Sequence, residues 1–190
     1  MVSNVVDSDW EISDTTLMHG LARTAHQHPD RIFVRCEAGE ITYAAFYGLV
    51  AQLGERLRAQ VMGQDVCLYL PNGLAFLAGY YALLHAQARP ALININTPLA
   101  GFQKLVTDLS PALALTNQAV EGVEVLHLTD ADVLGMAETA SPGPVREDVT
   151  VSGADVCAVM FTGGTTGLPK RLNHSHTAMT AAMDRIEWGW

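Results

Sequence analysis

Val66-Cys67-Leu68-Tyr69-Leu70 is an uninterrupted apolar run of strand length, and its reading decides the fold. A strand with one wet face alternates apolar and polar residues, whereas a short continuous run suits a strand covered on both faces. Pro71-Asn72-Gly73 ends the run, and Asn72 or Gly73 opens a helix. Leu74, Phe76, Leu77, Tyr80, Tyr81 and Leu84 occupy most of that helix's circumference, which predicts a deeply buried element, ended by Arg89-Pro90. Ala91 to Ile95 reads as a second buried strand. The next helix carries Phe102, Leu105, Val106 and Leu109 on one face and stops at Ser110-Pro111, after which Ala112 to Leu115 is a third strand. Strand, helix, strand, helix, strand at these lengths predicts right-handed crossover units. The fold class is therefore α/β, a parallel crossover sheet with flanking helices.

Upstream, Arg31 to Tyr43 (RIFVRCEAGEITY) reads as two short strands around the turn residues Glu37 to Gly39. From Thr42, a plausible N-cap, Phe46, Leu49, Val50, Leu53 and Leu57 recur at helical spacing and leave Glu55, Arg56 and Arg58 outward, so a helix is expected to run to about Gly63. Downstream, Val123 to Leu128 offers one more strand. Residues 138–153, rich in Pro, Ser and charge, read as an exposed connector and a candidate subdomain boundary. Asp155 to Phe161 returns to a buried-strand pattern and delivers the chain into a Gly/Thr-rich loop.

The 190 residues are 49% hydrophobic and 16% charged, which suits a folded chain with a sizeable core. A formal net charge of -9 without any Lys/Arg-rich run argues against long-range attraction to nucleic acid or anionic membrane, so an anionic ligand must be held by local donors. Cys36, Cys67 and Cys157 are odd in number and far apart, which disfavours a disulfide framework or a zinc site and fits free thiols in a reducing cytoplasm. Met1 to Trp10 lacks the basic and apolar regions of a signal peptide. No charge lies between Asp65 and Arg89, yet Pro71-Asn72-Gly73 splits that stretch, so a core helix is expected and no transmembrane segment.

The loop is Phe161 to Lys170, FTGGTTGLPK. Glycines let backbone N–H groups approach anionic oxygens, threonines add hydroxyl donors and the lysine supplies a point charge, a set suited to polyphosphate. Gly, Thr and Pro are also ordinary turn residues, so a plain connector is the competing reading. The NTPase loop Gly-x4-Gly-Lys-Ser/Thr is not matched, because Pro169 precedes Lys170 and Arg171 follows it.

FTGGTTGLPK resembles the signature [Phe/Tyr]-Thr-[Ser/Gly]-Gly-Thr-Thr-Gly-x-Pro-Lys of the AMP-forming acyl-CoA synthetase and adenylate-forming ligase superfamily. His176 matches a histidine that often follows in that family, and the helix after it is similar to Thr177–Trp188. Ile41 to Leu57 and Tyr81 to Pro98 resemble earlier segments, so the likeness spans about Thr16 to Trp190. It implies a partial N-terminal domain of that fold and a clamp for the β- and γ-phosphates of ATP, while a carboxylate attacks the α-phosphate to give acyl-AMP and pyrophosphate. By position, Thr162, Gly163, Gly164, Thr165, Thr166, Gly167 and Lys170 would bind phosphate; none is a nucleophile or metal ligand. Mg²⁺ and coenzyme A are implied as well, with fatty-acyl-CoA ligases as the nearest kind.

Gly163 stands where serine is common, and Arg171 where the family has a small glycine. The arginine could disturb the backbone or could add a charge to the phosphate site. The family's remaining elements, including a mobile C-terminal domain with a catalytic lysine, are expected beyond residue 190, and the apolar end Ile186–Trp190 reads as a truncation. The chain is thus expected to be an inactive N-terminal portion of such a ligase, relying on the rest of its polypeptide or on a complementary chain. A non-catalytic, partner-dependent remnant is the alternative. His174 and His176 read as surface or capping residues rather than a metal pair, Tyr80 and Tyr81 as core, and Asn94 and Asn96 as turn formers.

Overall fold

The computed structural model describes residues 16–140, 151–162 and 170–184. A small antiparallel hairpin joins β1 (Ile32–Cys36) to β2 (Gly39–Thr42), with Cys36 opposite Gly39 across the turn. The main sheet contains β3 (Asp65–Tyr69), β4 (Arg89–Leu92), β5 (Leu113–Thr116), β6 (Val125–Leu126), β7 (Val156–Thr162) and β8 (Lys170–Ser175). Their order is β6-β5-β3-β4-β7-β8, and every neighbouring pair is parallel except the antiparallel β7 and β8. The helices are α1 (Leu17–Gln27), α2 (Tyr43–Val61), α3 (Leu74–His85), α4 (Leu99–Leu109), α5 (Asp130–Thr139) and α6 (His176–Asp184). The fold is α/β, as the alternation of buried strands and helices predicts.

The apolar run of β3 is buried at every position because it is covered from both sides. Val66 and Leu68 point into a core with Phe46 and Val50 of α2 and Leu83 of α3, while Cys67 and Tyr69 point into a second one with Phe102, Leu105 and Val106 of α4. Each fully buried side chain of this size contributes about 1.5–3 kcal/mol. Helix α2 lies close against α3 at Gly54, where a Cβ would stand 2.7 Å from the Ala82 carbonyl oxygen. Thr42 caps α2 as expected, its hydroxyl accepting from the Ala45 amide at 3.3 Å. Cys67 and Cys157 are buried, Cys36 is half-buried, and all three are free thiols. Among the described residues no helix is long and apolar enough to cross a membrane.

Three boundaries differ from the sequence reading. Arg89-Pro90 does not end α3, which stops at His85; the chain turns through Gln87 at φ 59°, and Arg89 and Pro90 begin β4. Arg89 donates its amide to Gln64, beside β3, so the missing N–H of Pro90 falls on the β7 side. The β4–β7 register is correspondingly short, with Ala91 opposite Val159. Strand β4 ends before Ile95 because Asn94 turns the chain, accepting the Asn96 amide on its side chain at 2.9 Å.

Helix α5 falls in a stretch where the pattern of apolar residues suggests none. Its signal is Thr129-Asp130-Ala131-Asp132: the Thr129 hydroxyl accepts from the Asp132 amide at 3.2 Å, and the Asp132 carboxylate accepts from the Thr129 amide at 2.9 Å. Asp130 also caps α3 from outside, its Oδ1 accepting from the Ala75 amide at 2.7 Å. Gly73, the N-cap residue of α3, has no side chain for that purpose. Glu138 and Thr139 form the last turn of α5, and residues 141–150 of the expected connector lie outside the described residues.

Candidate functional site

Parallel strands present their carboxyl ends along one edge of a sheet, which is where open α/β folds bind ligands. At that edge β7 ends on Thr162 and β8 begins on Lys170, and these two residues are register partners. Directly opposed residues of an antiparallel pair place their side chains on the same face. The two expected phosphate-binding residues at the ends of the loop are therefore brought side by side, and both are exposed. Gly163, Gly164, Thr165, Thr166 and Gly167 lie outside the described residues.

Tyr69, at the carboxyl end of β3, was not singled out as a site residue by its sequence context. Its ring stacks on Phe102 with centroids 4.2 Å apart, and its hydroxyl donates towards the carbonyls of Thr97 at 2.7 Å and Ile95 at 3.2 Å. It thereby holds the β4–α4 loop beside the carboxyl edge. The available signal was a phenol in an otherwise aliphatic buried strand, since a buried hydroxyl needs a partner.

Arg171 takes neither of the courses left open by the sequence. Its backbone continues the ladder opposite Phe161, so the bulk of the side chain does not break β8. Its Nη1 and Nη2 donate to the two oxygens of Asp65 at 2.7 and 2.9 Å, and its Nε donates to Asn173 at 2.9 Å. Asp65 begins β3, three strands away, and also accepts from Nε of Arg89 at 2.7 Å. The long arginine thus reaches past β7 and β4 to the start of β3. Burial pushes the Asp65 carboxyl up, but the hydrogen bonds and charges of Arg171 and Arg89 outweigh it and hold the group below the usual carboxylate range.

His176 is buried at the start of α6, and its Nδ1 accepts from the Leu17 amide at 3.2 Å. It is a capping histidine, although for α1 rather than for its own helix. Burial lowers its basicity, Asp155 raises it and His19 lowers it, with a net downward shift. His174, two residues earlier in β8, is half-buried.

Residues 21–189 match the family described as AMP-binding enzyme. The chain belongs to the AMP-binding enzyme family. Among its relatives, the nonribosomal peptide synthetase sidC of Arthroderma benhamiae is 27% identical over 181 residues, covering 88% of this chain and 4% of that protein. The uncharacterized acyl–CoA ligase YhfT of Bacillus subtilis is 28% identical over 168 residues, covering 85% of this chain and 34% of YhfT. The N-terminal subdomain of Klebsiella oxytoca NpsA superposes with a TM-score of 0.70 at 16% identity, over 88% of this chain and 43% of that one. The chain thus spans about a third of the length of one of these curated relatives and far less of the other. Of these two curated relatives of this AMP-binding family member, one is described as an acyl–CoA ligase and the other as a nonribosomal peptide synthetase.

The family implies use of ATP and Mg²⁺. An exposed ammonium and hydroxyl set side by side at the carboxyl edge fit a polyphosphate in charge and in donor type. Among the described residues no three His, Cys, Asp or Glu side chains are grouped to hold a metal ion.

Proposed function

We propose that this chain is the N-terminal part of an ATP-dependent ligase that joins a carboxylate to AMP, releases pyrophosphate and then passes the acyl group to a thiol. The observation carrying this reading is the Thr162–Lys170 pair, the register partners at the carboxyl edge of the sheet between which the rest of the Gly/Thr-rich motif lies in sequence. The Lys170 ammonium and Thr162 hydroxyl, with the amides and hydroxyls of Gly163, Gly164, Thr165, Thr166 and Gly167, hold the β- and γ-phosphates. They stabilise the charge that builds as the carboxylate oxygen bonds to the α-phosphorus and the bond to pyrophosphate breaks. Mg²⁺ bound with the nucleotide would share that charge.

Coenzyme A is the acceptor in the first reading, supported by YhfT, a protein named as an acyl–CoA ligase. A thiol borne by a carrier protein is the second, supported by sidC, a nonribosomal peptide synthetase. Supplying the adenylate-loaded full-length protein with each thiol and weighing the products separates the two.

The test of adenylation itself is carboxylate-dependent exchange of pyrophosphate into ATP by the full-length protein, with ATP binding followed by calorimetry. Lys170→Ala should cut exchange by about a hundredfold or more. ATP affinity unchanged when Lys170, Thr165 and Thr166 are all alanine would overturn the proposal. A non-catalytic binding module of the same fold predicts no exchange at all.

A further inference from the structure

At its loop end the β7–β8 hairpin runs past the part of the sheet that pairs with β4: Thr162 and its partner Lys170 lie beyond Val159, the β7 residue opposite Ala91. Strand β8 lies at the end of the sheet with β7 as its neighbour, and β7 meets β4 through the short register at Ala91 and Val159. Two-stranded ribbons twist more freely than wide sheets, so the ends of such a hairpin are poorly fixed by the ladder alone. Arg171 follows Lys170 directly, and its guanidinium is anchored on a carboxylate whose side chain is 10% exposed. That carboxylate is itself fixed: Asp65 accepts the Ala112 amide on its carbonyl at 2.9 Å, and its side chain takes Arg89 from β4. A forked pair with two parallel bonds constrains orientation as well as distance, which a point charge does not.

We propose that the Arg171–Asp65 pair is a brace that positions Lys170 and Thr162 for the nucleotide, with Arg171 acting as a positioning residue and Asp65 as its anchor. The inference rests on the adenylation reading above. Its competitor is that Arg171 swings out and contacts phosphate itself. Asp65→Asn separates the two, because it keeps the arginine and nearly the same side-chain volume. If Arg171 touched phosphate directly, freeing it would leave ATP binding unchanged or tighter. As a brace, its loss from either end weakens use of ATP equally.

The experiment measures pyrophosphate exchange by the full-length protein carrying Arg171→Gln, Arg171→Lys, Asp65→Asn, and Arg171→Gln with Asp65→Asn. The expected result is a fall of about ten- to a hundredfold in kcat/KM for ATP in Arg171→Gln and Asp65→Asn alike. The double variant should be no worse than either single one, Arg171→Lys should recover only part, and KM for the carboxylate should stay unchanged. A merely destabilising change would lower the active fraction and leave both KM values alone. Hydrogen exchange of the β8 amides gives a readout free of ATP, and Arg171→Gln should speed it while amides of β5 keep wild-type protection. Wild-type exchange in β8 together with wild-type KM for ATP in Arg171→Gln would overturn the brace, as would ATP binding retained in Asp65→Asn. Absence of pyrophosphate exchange in the wild type would instead overturn the adenylation reading, with the amide measurement still testing the brace.

Discussion

The amide of Leu17 donates to Nδ1 of His176 at 3.2 Å, tying the first turn of α1 to the start of α6 across 159 residues of sequence. The first amides of a helix have no partner within it, and here a distant imidazole supplies one while Thr16 supplies another for His19. An imidazole that accepts on Nδ1 must be unprotonated there, so the contact exists only for the neutral ring.

That contact makes stability depend on pH. The folded basicity of His176 lies below its ordinary value of about 6.5, so the unfolded chain takes up the proton first. The stabilisation is complete above that value and is lost as pH falls through it towards the folded pKa. Asp65, whose folded pKa is also lowered, adds a second loss at still lower pH, beneath the ordinary carboxylate range of about 3.9. Urea midpoints between pH 8 and 5 should fall for the wild type, and His176→Asn, which keeps an acceptor but cannot titrate, should flatten that part of the curve. His176→Ala should cost about 2–4 kcal/mol at neutral pH through a lost hydrogen bond and a cavity. Identical pH profiles for the wild type and His176→Asn would rule out this assignment.

Glycine contacts predict an ordering of two substitutions. A Cβ on Gly54 would meet the Ala82 carbonyl oxygen at 2.7 Å and the His85 Cβ at 2.8 Å, both close to the backbone of α3. A Cβ on Gly79 would meet the end of the Leu115 side chain at 2.8 Å, which can rotate aside. Gly54→Ala should therefore destabilise by about 2–4 kcal/mol and Gly79→Ala by about half as much, as read by chemical denaturation. Equal costs would show that the α2–α3 approach is not set by backbone contact.

Asp130 should matter for a helix to which it does not belong. Its Oδ1 takes the Ala75 amide at 2.7 Å, so Asp130→Ala should cost about 1–2 kcal/mol and raise amide exchange in the first turn of α3. Loss confined to α5 would mean that Asp130 serves its own helix instead.

Tyr69→Phe removes only an oxygen, yet that oxygen bonds two carbonyls of the β4–α4 loop. The expected cost is about 1 kcal/mol of stability, with faster amide exchange in residues 95–97. In the full-length protein the variant should also lower pyrophosphate exchange, because the loop flanks the carboxyl edge. Unchanged exchange in the loop would indicate that the Phe102 stack alone holds it.

Much of this was legible in the residue order, for physical reasons that differ by element. Continuous apolar runs such as Val66–Leu70 declare two covered faces, and a hydroxyl such as Thr42 before a helical repeat declares a cap, because both signals are local. FTGGTTGLPK likewise carried the likeness to a family, while the phosphate-binding roles expected of Gly163 to Gly167 fall outside the described residues. The family match over residues 21–189 bears out the likeness at the level of an AMP-binding enzyme. Helix α5 escaped notice because its weakly amphipathic face gave no periodic signal, and Thr129-Asp130-Ala131-Asp132 was the only local mark.

What tertiary structure alone decided is which distant groups meet. Residue order showed Arg171 as an odd bulk after Lys170, but the order of strands in the sheet gave it Asp65, three strands away. It showed His176 as one of a spaced pair, but only packing of α1 beside α6 offered that ring the Leu17 amide. A local pattern reflects the periodicity of one element and is written in consecutive residues; a partner 106 or 159 positions away depends on how the chain returns in space, which no short window contains.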